Sequence, residues 1–156
     1  MTQSINNIQD SIVDDFAFFS DWSEKYEHLI ELGLELPPLD AKHKTEDKRI
    51  LGCQSNVWLN AEYVAESGTM RYTADSEAMI VKGLVSLLIR VLSGQKPADI
   101  LQAELNVFQR IGLDQHLSGT RSNGLVAMIR DMKRYAAESA AHERQTEESK
   151  TDEVRA

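Results

Sequence analysis

The sequence predicts an α+β domain in which a small antiparallel β-sheet of about three strands packs with helices. Three observations carry this. Two helical patterns precede any strand signal, and the one stretch of period-two alternation reads as two strands joined by a tight turn. Helical patterns then resume, with none of the strand–helix–strand alternation that builds a parallel sheet. With 156 residues, 42% of them apolar, the chain has enough material for one sizeable core.

Taken in order, Ile12, Val13, Phe16 and Phe19 share one helical face and predict a helix over 11–20. Asp21 and Glu24 have capping-box spacing ahead of the stripe Trp22, Tyr26, Leu29 and Ile30, which predicts a second helix with Gly33 as its stop. Pro37-Pro38 forbids continuation, so 39–47 reads as an exposed connector. Val57, Leu59, Ala61 and Tyr63 alternate with polar neighbours and predict a half-buried strand, with Trp58 also assigned to the core. Past a Ser67-Gly68 turn, Met70, Tyr72 and Ala74 predict its antiparallel partner, and Lys48 to Leu51 is expected to add a third strand. Asp75 or Ser76 is expected to cap the next helix, whose face is Met79, Ile80, Gly83, Leu84, Leu87, Leu88 and Val91, ending near Gly94. Short helices follow from Pro97 to Leu101 and from Val107 to Ile111. After Ser118-Gly119-Thr120, the stripe Leu125, Met128, Ile129 and Met132 predicts a last helix. From Ser139 the chain is acidic and lacks large apolar residues, so 1–138 is expected to be the domain and 139–156 a disordered tail.

A formal charge of −8 opposes binding to phosphate backbones, and nucleic acid is not expected as a partner. The greasiest stretch, Ala78 to Leu92, is interrupted by Lys82, Gly83 and Arg90, so no membrane span is expected. Met1 to Asn6 has neither the basic start nor the apolar core of a secretory signal, so a cytoplasmic location is expected. Cys53 is the chain's one cysteine. One thiol makes no intramolecular disulfide and no thiolate cage, so any cysteine chemistry uses a single sulfur, with no metal or other cofactor expected on this chain.

Cys53 stands between a connector rich in Lys42, His43, Lys44, Lys48 and Arg49 and a strand. Gly52 permits a bend, Gln54 and Ser55 bring polar groups, and nearby cations would favour thiolate. A free cysteine is as readily a small buried hydrophobe, though Gly and Gln-Ser-Asn are unusual neighbours for one placed only to fill a core.

Gly52-Cys53-Gln54-Ser55-Asn56-Val57-Trp58 resembles the active-cysteine signature of the SufE family of sulfur acceptors (SufE/CsdE-like cysteine desulfuration proteins), with Asn56 where Gln is frequent. The resemblance extends over Asp21-Trp22, Tyr26, Leu29-Ile30-Glu31-Leu32-Gly33, Leu36-Pro37-Pro38, Asp75-Ser76, Ile80-Val81-Lys82-Gly83-Leu84, Gln115-His116-Leu117, Arg121-Ser122-Asn123-Gly124-Leu125 and Ala127-Met128-Ile129. It implies a SufE/IscU-like fold with the cysteine on a loop at the tip of the sheet. It also implies that Cys53 takes a persulfide sulfur from a cysteine desulfurase (SufS/CsdA-like), stimulates it, and passes the sulfur to a downstream iron–sulfur scaffold or other acceptor. Pyridoxal phosphate is then expected on the partner, and shelter of the idle thiol with exposure on docking is expected of the loop. A homodimer stays open.

Asp75 is read either as a helix cap or as a carboxylate that ties down the cysteine loop or faces the partner. Arg121, beside a helix start where a cation gains nothing from the dipole, is read as a surface ion pair or as a contact to that loop or the partner. His43 and His116 keep a rival reading open, a hydrolase with Cys53 as nucleophile, and a non-catalytic desulfurase adaptor is a second.

Overall fold

The computed structural model describes residues 4–155, with side chains for 4–113 and 115–142. Helix α1 (Ile5–Ala17) opens on Ser4, whose hydroxyl accepts from the Asn7 N–H at 3.1 Å. It starts ahead of the expected Ser11 and ends short of Ser20, because its buried face includes a polar residue that hides the apolar period. Gln9 is fully buried, its amide donating to the Glu104 carbonyl at 3.0 Å and accepting from the Val107 N–H at 3.1 Å. Helix α2 (Trp22–Glu35) has the expected cap, with Asp21 Oδ1 accepting from the Glu24 N–H at 2.9 Å and Glu24 Oε2 from the Ser20 N–H at 3.1 Å. Gly33 does not stop it. A Cβ there would lie 2.8 Å from the Gly83 nitrogen, so Gly33 is needed where α2 crosses the helix bearing Gly83.

Short 3₁₀ turns at Ala41–His43 and Glu46–Lys48 form the connector. Strands β1 (Val57–Val64) and β2 (Thr69–Ser76) pair antiparallel with Val57 opposite Ser76 and Tyr63 opposite Met70, so the expected apolar positions share one face. The expected third strand does not form. Arg49 makes a single bridge to Trp58 before the chain turns at Leu51-Gly52. Both edges of the two-stranded ribbon are nonetheless engaged, which limits pairing with other chains. The Ile50 N–H donates to the Val57 carbonyl at 2.8 Å on one edge. On the other, Met70 exchanges bonds with Gly94 and Gln95 at 2.7 and 2.9 Å, and the Tyr72 N–H donates to Ser93 Oγ at 3.1 Å.

Helix α3 (Met79–Leu92) buries Gly83, Leu84, Leu87, Leu88 and Val91 as expected, and also Val81, Val85 and Leu92, because α2 and the sheet cover it from two sides. Met79, assigned from sequence to the core, is 55% exposed, since it is the first residue of the helix and precedes the covered turns. Helices α4 (Pro97–Gln102) and α5 (Val107–Arg110) are short, and α6 (Gly119–Arg155) continues as helical backbone through the stretch read as an acidic tail. The Tyr72 hydroxyl donates to the Met132 carbonyl at 2.6 Å and ties the sheet to α6. No helix among the described residues is long and apolar enough to cross a membrane.

Candidate functional site

Cys53 sits on a loop that leaves the sheet after Ile50 and rejoins it at Val57. The bond between those two residues closes its base, and Ile50, 1% exposed, anchors it. Gly52 has φ +99°, a conformation L side chains rarely adopt, and this bend directs Cys53 over α6. Helix α6 supplies the floor through Gly124, Ala127, Met128 and Asp131, which recur at spacings of three and four along one face. Two small residues let the loop approach: a Cβ on Gly52 would lie 3.3 Å from the Ala127 Cβ, and one on Gly124 would lie 3.4 Å from Cys53 Sγ. The thiol donates to the Gly124 carbonyl at 3.6 Å.

Beside the sulfur is a pocket of about 300 Å³. Gln54 and Ser55 border it on the loop side, the buried Val81 and Met128 form its apolar part, and the exposed Ser118, Thr120 and Arg121 stand opposite. The sequence-predicted Gly52, Gln54, Ser55 and Arg121 are thus brought around Cys53. Arg121 is exposed on the rim of this pocket, and its backbone N–H donates to Ser118 Oγ at 3.3 Å at the start of α6.

Burial pushes the Cys53 thiol above its ordinary value, and the Asp131 carboxylate pushes the same way against an opposing pull from Arg130. The expected thiolate-favouring cluster in the connector is therefore corrected. Three of its cations are engaged elsewhere: Lys44 with Asp75 at 3.0 Å, Lys48 with Asn60 Oδ1 at 2.6 Å and His43 Nδ1 at 2.8 Å, and Arg49 with Glu46 at 2.6 Å. Proximity in sequence did not become proximity to sulfur because the connector packs against the sheet.

Asp75 lies outside the Cys53 pocket, buried at the end of β2 opposite Trp58. Neither it nor Ser76 is the N-cap of α3, which is Ala78. The Ser76 hydroxyl instead accepts from the Ala78 N–H at 3.2 Å and donates to the Asn56 carbonyl at 2.8 Å, tethering the far end of the cysteine loop. Asp75 accepts from the Ser76 N–H at 2.8 Å and pairs with Lys44 and, at 3.5 Å, Lys82. Burial raises its pKa, but the Lys44 hydrogen bond, the Ser76 amide and Lys82 together hold it below the ordinary carboxylate value.

Sequence reasoning missed Gly124, Arg130 and Asp131 as parts of the site. The available signal was a glycine within a helical pattern and an acid beside the apolar stripe of the last helix. The histidines lie elsewhere. His43 accepts from Lys48, His116 stacks on Trp22 with ring centroids 3.9 Å apart, and neither lines the pocket beside Cys53, whose thiol bonds to the Gly124 carbonyl instead.

A search against protein families matches residues 10–136 to SufE, the Fe-S metabolism associated domain. An uncharacterized SufE-like protein of Rhizobium meliloti is 40% identical over 127 residues, covering 80% of this chain and 91% of its own. A second from Rhizobium etli is 38% identical over 135 residues, covering 85% and 91%. Among solved structures, the solution structure of a hypothetical protein from Thermus thermophilus superposes with a TM-score of 0.71 at 20% identity, covering 86% of this chain and 96% of that one, which shows a shared fold. With the cysteine loop, its helical floor and these matches in agreement, the chain belongs to the SufE family, whose domain is associated with Fe–S metabolism.

Proposed function

We propose that Cys53 is a sulfur acceptor for a pyridoxal-phosphate-dependent cysteine desulfurase of the SufS/CsdA-like kind, acting in the cytoplasm. The Cys53 thiol gives up its proton, and the thiolate attacks the outer sulfur of the donor's cysteine persulfide. A new S–S bond forms on Sγ, the donor's S–S bond breaks, and the donor cysteine leaves as thiolate, which takes up a proton. No electrons are gained or lost overall. Clearing the donor thiol frees it for another turnover, which is how acceptance would stimulate the desulfurase. The sulfur then moves to a downstream iron–sulfur scaffold or another acceptor. No resident cofactor is assigned to this chain.

The observation that carries this reading is a lone thiol on a bent loop, half-buried beside a pocket with room for a second sulfur. A thiol whose pKa is raised is a poor nucleophile at rest. That suits a carrier that must protect a persulfide from stray thiols and react only when the loop is moved out at a partner's site. It does not suit a hydrolase, which needs an activated thiolate in place. Gly52 supplies the bend, Gln54, Ser55 and the exposed Arg121 are assigned to the partner-facing rim, and Asp75 holds the connector through Lys44.

Intact-mass spectrometry after incubation with a cysteine desulfurase and free cysteine tests the proposal. One added sulfur per chain is expected, and none on Cys53→Ser. A wild-type chain that gains no sulfur removes the reading, and stimulation that survives in Cys53→Ser favours the adaptor.

A further inference from the structure

The cysteine loop is anchored at both ends by buried residues, Ile50 and Val57, yet its leading half has little to hold it. Leu51 is 63% exposed and Gly52 has no side chain, so burial contributes little between Ile50 and Cys53. The thiol is a weak donor to the Gly124 carbonyl, and that bond is lost whenever the sulfur is deprotonated. One charged side chain reaches this segment among the described residues. Arg130 Nη2 donates to the Leu51 carbonyl at 2.9 Å, while its Nε donates to Asp131 Oδ1 at 3.1 Å. The two bonds leave from different nitrogens of one planar group, so Asp131 fixes the plane in which Arg130 meets the loop. Asp131 is itself held, with its side chain 11% exposed and Arg134 Nε at 3.9 Å on its other side.

We propose that Arg130 is a positioning residue that clamps the Cys53 loop in its sheltered conformation through the Leu51 carbonyl, with Asp131 orienting the guanidinium. The purpose of the clamp rests on the sulfur-acceptor reading; its geometry does not. Release is accessible, because the Arg130 side chain is 57% exposed and a carboxylate is a better, bidentate acceptor for it than a carbonyl. An acidic group on a docking partner would take the guanidinium and free Leu51. The same side chain also carries the positive charge that opposes Asp131 at the thiol, so shelter and charge balance depend on one residue.

The test is the rate of Cys53 alkylation by iodoacetamide on the full chain without any desulfurase, followed by intact mass across pH. The high-pH plateau reads loop opening, and the midpoint reads thiol ionisation. Arg130→Ala is expected to raise the plateau about tenfold, the effect of losing one charge-assisted hydrogen bond from the closed state. Arg130→Lys keeps the charge but its ammonium cannot span both acceptors, so its plateau should rise at least about threefold with a smaller change in midpoint. Arg134→Ala touches Asp131 but not the loop and should leave the plateau at the wild-type value. A wild-type plateau in the Arg130 variants, or an equal rise in Arg134→Ala, overturns the clamp; Arg130→Lys alone decides if Arg130→Ala does not fold. Raised plateaus together with no sulfur uptake by the wild type would remove the proposed function and leave the clamp. Unchanged plateaus with normal uptake would remove the clamp alone.

Discussion

At the scale of single residues, the site works against its own thiol. A cysteine readied for attack normally sits among cations, whereas Cys53 has burial and Asp131 raising its pKa and Arg130 opposing them. The alkylation midpoint should therefore lie above the ordinary thiol value of 9.0, and Asp131→Asn should lower it, measured by iodoacetamide kinetics. A midpoint at or below 9.0 would contradict the buried setting. The linkage has a definite sign. A folded-state pKa raised above the unfolded one contributes stability that is complete below pH 9.0 and is lost as pH rises through the folded value. Asp75 behaves oppositely, because its folded pKa is held below 3.8. Its contribution is present above 3.8 and disappears as pH falls through the folded value, so Asp75→Asn should flatten the acid limb of a stability–pH curve from urea titrations. The cysteine itself was legible from Gly52 and Gln54-Ser55-Asn56. The charges that tune it were not, since Arg130 and Asp131 stand on a helix nearly eighty residues later, where sequence gives no distance to sulfur.

At the scale of elements, two glycines set how closely pieces approach. A Cβ on Gly83 would lie 2.3 Å from the Leu29 carbonyl oxygen and 2.8 Å from Leu29 Cγ, so α2 and α3 cross with backbones nearly touching. Gly83→Ala should cost about 3 kcal/mol by urea unfolding, despite alanine's better helix propensity, because backbone must move to admit the methyl. A stabilised variant would show that the crossing is looser than this. Gly124→Ala differs, since its methyl would rest 3.4 Å from Sγ, an ordinary contact. The fold should hold or gain up to about 1 kcal/mol, while persulfide loading measured by intact mass falls because the added sulfur loses room. Full loading would show that the persulfide points away from α6. Helix and strand types followed the apolar periods closely. Errors fell where a polar residue was buried, as at Gln9, or where one bridge had been read as a strand, as at Arg49.

At the scale of the whole molecule, a two-stranded ribbon is too small to be stable by itself and depends on what covers it. One core cluster joins residues from Ile5 to Ala136, including Phe16, Leu29, Leu59, Tyr72, Leu88 and Met132 from different elements. Amides of β2, of α3 and of 125–136 in α6 are accordingly expected to exchange hydrogen at one common slow rate in native-state experiments, with the 51–56 loop faster. Separate slow rates for the sheet and for α6 would show two cooperative units. The sequence alone determined the α+β order, the antiparallel hairpin and the family-like setting of the thiol, because periodicity, turn residues and motifs are local properties of a chain. Only the tertiary structure decided that α6 is the floor of the cysteine loop, that the connector's cations turn to Asp75, Asn60 and Glu46, and that Arg130 meets Leu51. Those outcomes depend on which faces meet when distant segments share one core, and burial and distance through space then set the charge balance at sulfur.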